Sequence, residues 1–212
     1  MIIAIDGTTA SGKGTIARRL AAHYGLPHMD TGRLYRAVAV AAMKQDLPLD
    51  AAGPLADIAR MLDLTDFVEH ELRSAEAGKA ASVVAAIPSV RQALFELQRA
   101  FATRAGGALL DGRDIGTVIA PDADVKLWVD ADVRQRGERR WKELTGNGED
   151  VLLEQVIEQL KIRDARDQGR TDAPAAIADD AILIDTTDLT IDAAVERAMA
   201  AVEAALAKGK TA

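Results

Sequence analysis

Between Gly7 and Thr15 the chain reads Gly-Thr-Thr-Ala-Ser-Gly-Lys-Gly-Thr, and no other stretch limits the possible folds as strongly. Gly7, Gly12 and Lys13 meet the spacing of a glycine-rich phosphate loop, which functions only between a buried strand and a helix. Both flanks have that character. Met1 to Ile5 is a short apolar, β-branched run that breaks at Asp6 and Gly7. From Lys13 to Tyr24 the apolar Ile16, Ala17, Leu20 and Ala21 recur at helical spacing, with Arg18 and Arg19 facing out. The loop residues Gly7, Thr8, Thr9, Ala10, Ser11, Gly12, Lys13, Gly14 and Thr15 are therefore read as a nucleotide phosphate site. Glycines allow backbone angles closed to other residues, successive N–H groups turn inward as an anion nest, and the helix N-terminus adds partial positive charge. Lys13 can reach the outer phosphates. A hydroxyl usually follows the lysine directly, whereas here Gly14 intervenes before Thr15, which weakens the case for direct magnesium ligation at Thr15.

The rest of the chain fits an α/β fold. Apolar runs return at Ala108 to Leu110, Val125 to Val129 and Ala181 to Ile184, and they end at Asp111, Asp130 and Asp185. Helical patterns lie between most of them, as expected for a parallel sheet wrapped by helices with ligands at the strand carboxyl ends. From Gly53 to Gly107 no strand is evident; the Leu- and Ala-rich stretch, punctuated by Pro54 and Pro88, is read as a helical insertion. At 212 residues one domain is expected, with the last ten residues fraying. Its core must be aliphatic, because 49% of residues are apolar and only 3% aromatic, a balance that excludes disorder. The absence of cysteine excludes disulfides, iron–sulfur clusters and thiol catalysis, and it fits a reducing compartment. A net charge of −7 argues against general nucleic-acid binding, and no apolar run is long enough for a membrane span. The expectation is a cytoplasmic protein without nucleic-acid or membrane partners.

Three further constellations carry chemistry. In Asp30-Thr31-Gly32-Arg33-Leu34-Tyr35-Arg36, either Asp30 or Thr31 can cap a helix, with Arg36 one turn in. In Asp111-Gly112-Arg113-Asp114-Ile115-Gly116-Thr117, Asp111 is placed like the carboxylate that holds metal-bound water beside a phosphate loop, and Arg113 is close enough to meet a phosphate. The third lies on two basic helices: Arg134, Arg136, Arg139, Arg140 and Lys142, then Arg163, Arg166, Asp167 and Arg170 on one helical face. We read them as a mobile arginine-rich flap, since phosphoryl transfer spreads charge over oxygens that need several donors. His23, His28 and His70 fit no metal spacing, and Trp128 and Trp141 are read as packing or lid residues.

Taken in order, these motifs, together with Ala80-Ala81-Ser82 followed by Pro88 and Arg91, make the chain resemble the bacterial cytidylate kinases, a family of nucleoside monophosphate kinases. The resemblance runs over nearly the whole chain. It implies a P-loop kinase with a five-stranded parallel sheet, an insertion near 53–107 that binds the monophosphate and a lid near 134–170. It also implies transfer of the ATP γ-phosphoryl group to CMP or dCMP with Mg2+, by a monomer acting on small molecules. Lys13, Arg163 and Arg170 would be catalytic. Thr31, Arg36, Ser82, Arg91, Arg113, Asp114 and Asp167 would bind CMP: Arg36 and Arg113 the phosphate, Ser82, Arg91 and Asp114 the cytosine. Three departures stand out. Thr8 replaces the usual proline and is expected to loosen the loop; Arg33 brings charge near the acceptor site; and Leu64 to Lys79 is too short for the small antiparallel sheet of many members, so weaker rejection of UMP is expected. A shikimate-type or gluconate-type kinase would share Lys13 without needing Ser82, Arg91 and Asp114, and a non-catalytic GTPase-like switch would carry an Asn-Lys-x-Asp motif that is missing here.

Overall fold

The computed structural model describes residues 1–209; of the tail expected to fray, positions 210–212 lie outside the described residues. The helix α9 (Ile191–Gly209) runs on through the earlier tail positions, because Ala198 and Val202 bury one side of it against the sheet.

Five parallel strands form one sheet in the order β2-β3-β1-β4-β5. They are β1 (Ile2–Gly7), β2 (His28–Asp30), β3 (Ala108–Asp111), β4 (Val125–Asp130) and β5 (Ile182–Asp185). Strand β1 pairs with β3 and β4, so its carboxyl end opens at the centre of the sheet, where the chain reverses its direction of winding. Side chains alternate as a strand requires. Ile3 and Ile5 pack under α1 (Lys13–Tyr24) and α9, while Ala4 faces Leu110, Ile115 and Ala102 on the other side. Strand β2 escaped the sequence reading because it is only His-Met-Asp, with one apolar residue at Met29.

The segment between β2 and β3 is helical throughout: α2 (Thr31–Lys44), α3 (Ala52–Arg60), a 3₁₀ turn, α4 (Glu69–Arg73), α5 (Ala75–Val84) and α6 (Pro88–Ala102). Leu34, Val38, Leu55, Val84, Val90 and Leu94 give these helices a core of their own beside the sheet. After β4, α7 (Val133–Gly146) and α8 (Leu153–Gln168) cross closely at Gly137, where a Cβ would run into Ile157. No single helix among the described residues is long and apolar enough to cross a membrane.

Candidate active site

The phosphate loop is shaped by two glycines and by contacts behind it. Gly7 has φ 149°, and a Cβ there would strike the Val129 carbonyl, so the loop can leave β1 against β4 only as glycine. Gly12, with φ 88°, starts α1. The carbonyls point outward: Thr8 O accepts from Ser11 Oγ at 3.0 Å, Thr9 O from Arg136 at 3.3 Å and Ser11 O from Thr186 Oγ1 at 2.8 Å. Behind the loop the Thr8 N–H donates to Val129 O at 3.2 Å, and the next N–H engaged is that of Thr15, to Gly12 O at 3.0 Å. The N–H groups of residues 9–14 are left to an anion. Thr8 does not loosen the loop as expected. It keeps an N–H that proline would lack, and its hydroxyl donates to Asp130 Oδ1 at 2.6 Å, so two hydrogen bonds tether the position.

Lys13 points from this loop to the end of β3, where its Nζ donates to Asp111. The other Asp111 oxygen lies 2.7 Å from His28 Nε2, and the Asp111 backbone carbonyl accepts from Thr31 Oγ1 at 2.9 Å. Burial alone would raise this carboxyl. The Lys13 charge and the His28 hydrogen bond outweigh it and hold Asp111 well below the usual carboxylate range.

Opposite Lys13, Asp167 gathers three arginines around one buried carboxylate. It accepts from Arg113 Nε at 3.2 Å and from Arg170, with Arg163 Nε at 3.8 Å. Burial opposes ionisation of Asp167, but these three guanidiniums together hold it below its ordinary value. Burial first, and then the like charge of Arg113, lowers Arg163 to about 10. Three arginines around one carboxylate leave an excess of positive charge, which calls for an anion. Arg113 also donates to Thr9 Oγ1 at 2.6 Å, joining this cluster to the phosphate loop. Arg36 comes from α2, whose N-cap Asp30 accepts from the Arg33 N–H and from Arg36 Nη2 at 2.7 Å. The Nε atoms of Arg36, Arg91, Arg163 and Arg170 are buried without a hydrogen-bond partner. Such donors are costly to leave idle, and a phosphate oxygen would satisfy them.

The far end of the cleft holds Asp114, Arg91 and Ser82. Arg91 donates to Asp114, which a π-helical turn (Ile115–Ile119) presents. Burial raises the Asp114 carboxyl against the pull of Arg91. That turn is anchored by Asp6, which accepts from the N–H groups of Ile115 at 2.9 Å and Gly116 at 2.7 Å; full burial pushes Asp6 up to about 7. Ser82 Oγ accepts from Arg166 at 3.1 Å and lies 3.5 Å from Asp167. Arg91 also sits 5.8 Å from the Tyr35 ring centre, within range of a cation–π contact.

One cleft of about 340 Å³ is lined by residues of the phosphate loop and by Thr31, Arg36, Ser82, Arg91, Asp111, Arg113, Asp114, Arg163, Asp167 and Arg170. The structure thus brings the loop and every acceptor-side residue read from the sequence to one place. Two expectations change. Arg136 and Arg139 belong to no free flap: Arg136 pairs with Asp164 at 2.7 Å, Arg139 donates to Thr186 O at 2.6 Å, and both brace the loop from behind. Arg33 is absent from the lining and pairs with Glu69 at 3.2 Å. Each oxygen of Asp111 engages one partner, which leaves each a second lone pair. Sequence reasoning missed His28, Thr186 and Asp6; the clue for Asp6 was an acidic residue inside an otherwise apolar strand.

The cytidylate kinase family model matches residues 3–204. A cytidylate kinase of Methylocella silvestris is 57% identical over 205 residues, 97% of this chain and 95% of that protein. One of Xanthobacter autotrophicus is 55% identical over 204 residues, 96% of this chain and 98% of that protein. Among solved structures, a gluconokinase from Sinorhizobium meliloti is similar with TM-score 0.51 at 14% identity, covering 99% of this chain and 95% of that one, a likeness of fold alone.

Proposed function

The chain belongs to the cytidylate kinase family, and from that premise we propose that this cleft transfers the γ-phosphoryl group of ATP to CMP or dCMP, giving ADP and CDP or dCDP. The observation that carries the reading is the pairing of two anion sites in one cleft. The free N–H groups of the phosphate loop and Lys13 lie on one side, and on the other lie Arg113 and the half-buried Arg36, Arg163 and Arg170, whose Nε atoms lack partners.

In this account the loop and Lys13 hold the β- and γ-phosphates of ATP, while Arg36 and Arg113 hold the phosphate of CMP. An oxygen of that phosphate forms the new bond to the γ-phosphorus as the β–γ bridging bond breaks, and ADP departs with the bridging oxygen. The attacking phosphate is already anionic at neutral pH, so no general base is needed. Catalysis rests on alignment and on charge. Arg163 and Arg170, oriented by Asp167, donate to the transferring group, where charge spreads over the equatorial oxygens. Thr15 and Asp111 supply hard oxygen donors suited to a hydrated magnesium ion, which would neutralise phosphate charge; no cluster of acidic or imidazole ligands among the described residues forms a metal site without the nucleotide. Positions 53–107 form the acceptor-side wall, and within the lid region 134–170 the segment that carries Arg163 and Arg170 closes the donor side while α7 braces the loop, in a monomeric, cytoplasmic enzyme.

Asp114 and Arg91 read the base. Cytosine presents an amino donor beside two acceptors, which a carboxylate and a guanidinium complement, whereas the uracil carbonyl would face the carboxylate. A coupled assay of ADP formation against a panel of nucleoside monophosphates and small hydroxyl acceptors tests the reading. CMP and dCMP should give the highest kcat/KM; gluconate or shikimate as best acceptor would overturn it.

A further inference from the structure

His28 belongs to no motif and to no step above, yet it completes a line of three groups: His28 Nε2, the two oxygens of Asp111, and Lys13 Nζ. Asp111 is only 2% exposed, so losing a partner is costly. This matters because Lys13 has two duties. Before substrate binds it neutralises Asp111, and during transfer it must turn toward the phosphates. As it turns, a buried carboxylate would lose its cation, and an uncompensated buried charge is expensive. His28 lies on β2, directly beside β3, with its side chain 19% exposed and held in the strand frame.

We propose that His28 is a positioning residue: by donating to Asp111 it keeps that carboxylate satisfied when Lys13 leaves, and so makes Lys13 available to the transferring phosphoryl group. The inference rests on the kinase reading above and adds a residue that the phosphate-loop pattern does not contain. Thr31, donating to the Asp111 backbone carbonyl at 2.9 Å, fixes the same residue from its other side. His28 touches neither nucleotide site and does not line the cleft, so its influence must run through Asp111.

His28→Leu removes the donor while keeping an apolar volume in the strand. It should lower kcat about 10-fold, as expected for losing a hydrogen bond to a charged group, with KM for CMP nearly unchanged. His28→Gln, whose amide can donate to the same oxygen, should recover most of that loss. The decisive arm is a double-mutant cycle with Asp111→Asn, in which His28→Leu should have little further effect, because the route it acts through is gone. Independent, multiplying effects of His28→Leu and Asp111→Asn would overturn the proposal, as would a Gln variant no better than Leu. Should His28→Leu fail to fold, as judged by CMP binding in calorimetry, His28→Met carries the same comparison. Absence of CMP-dependent activity in the unaltered chain would instead refute the kinase reading, whereas the proposal is judged on ratios between variants.

Discussion

Replacing Asp114 by Asn tests base recognition through a single atom exchange. Asp114 and Arg91 form a buried pair with side chains 7% and 6% exposed, so cytosine would meet a carboxylate already shielded from water. A hydrogen bond to a charged group contributes about 1.5–3 kcal/mol, roughly 10- to 150-fold in kcat/KM. Asn keeps an acceptor for Arg91 and for the cytosine amino group but loses the charge, and its amide can also turn to donate to the uracil carbonyl. CMP therefore loses and UMP gains. The ratio of kcat/KM for CMP over UMP should narrow by about 10- to 100-fold, measured by coupled ADP formation with each acceptor at saturating ATP. Arg91 retains Asp172 at 3.7 Å, so the variant should fold. A folded Asp114→Asn protein with an unchanged ratio would refute the assignment and move base selection to other residues.

Lys13→Met should abolish turnover while the fold persists, since Asp111 keeps His28; near-normal kcat in a folded variant would sink the phosphate-loop assignment. Arg163→Ala and Arg170→Ala should each lower kcat by about 10²-fold, and a change confined to KM would reduce these residues to binding alone. Asp6 titrates near 7 in the folded chain against 3.8 unfolded, so the native state takes up the proton between those values. The stability it contributes is present below pH 4 and is lost as pH rises through 7. The melting temperature of Asp6→Asn should fall less than that of the unaltered chain over this window, and parallel profiles would contradict the assignment.

Much of this was legible from one stretch of sequence. A strand, a glycine loop and a helix at the amino terminus imply a parallel sheet with a phosphate site at its carboxyl edge; Arg113 could be read from its place at a strand end and Arg163 from its helix, whereas Arg36 was assigned through the family resemblance, and Arg170, expected on the same helical face, lies just beyond the end of α8. Strand β2 was illegible because it is short and carries one apolar residue; the register with β3, not its own pattern, makes it a strand. The arginines of α7 misled for a different reason. Spacing puts Arg136 and Arg139 on a helix, but only tertiary packing turns them toward the loop carbonyls at Thr9 and the backbone at Thr186. Thr186 had no signal at all, since a hydroxyl in a loop between β5 and α9 looks like any other turn residue until the sheet brings it 2.8 Å from Ser11 O.

Two anion sites in one cleft should pass a phosphoryl group directly between nucleotides. Incubating the protein with ATP labelled in the γ-phosphate and with CMP, then separating the products, measures this without intermediaries. Label should appear in CDP, formed in step with ADP, with very slow release of labelled inorganic phosphate when CMP is left out, because a closed cleft excludes water. Label appearing in inorganic phosphate at the same rate with or without CMP would contradict it.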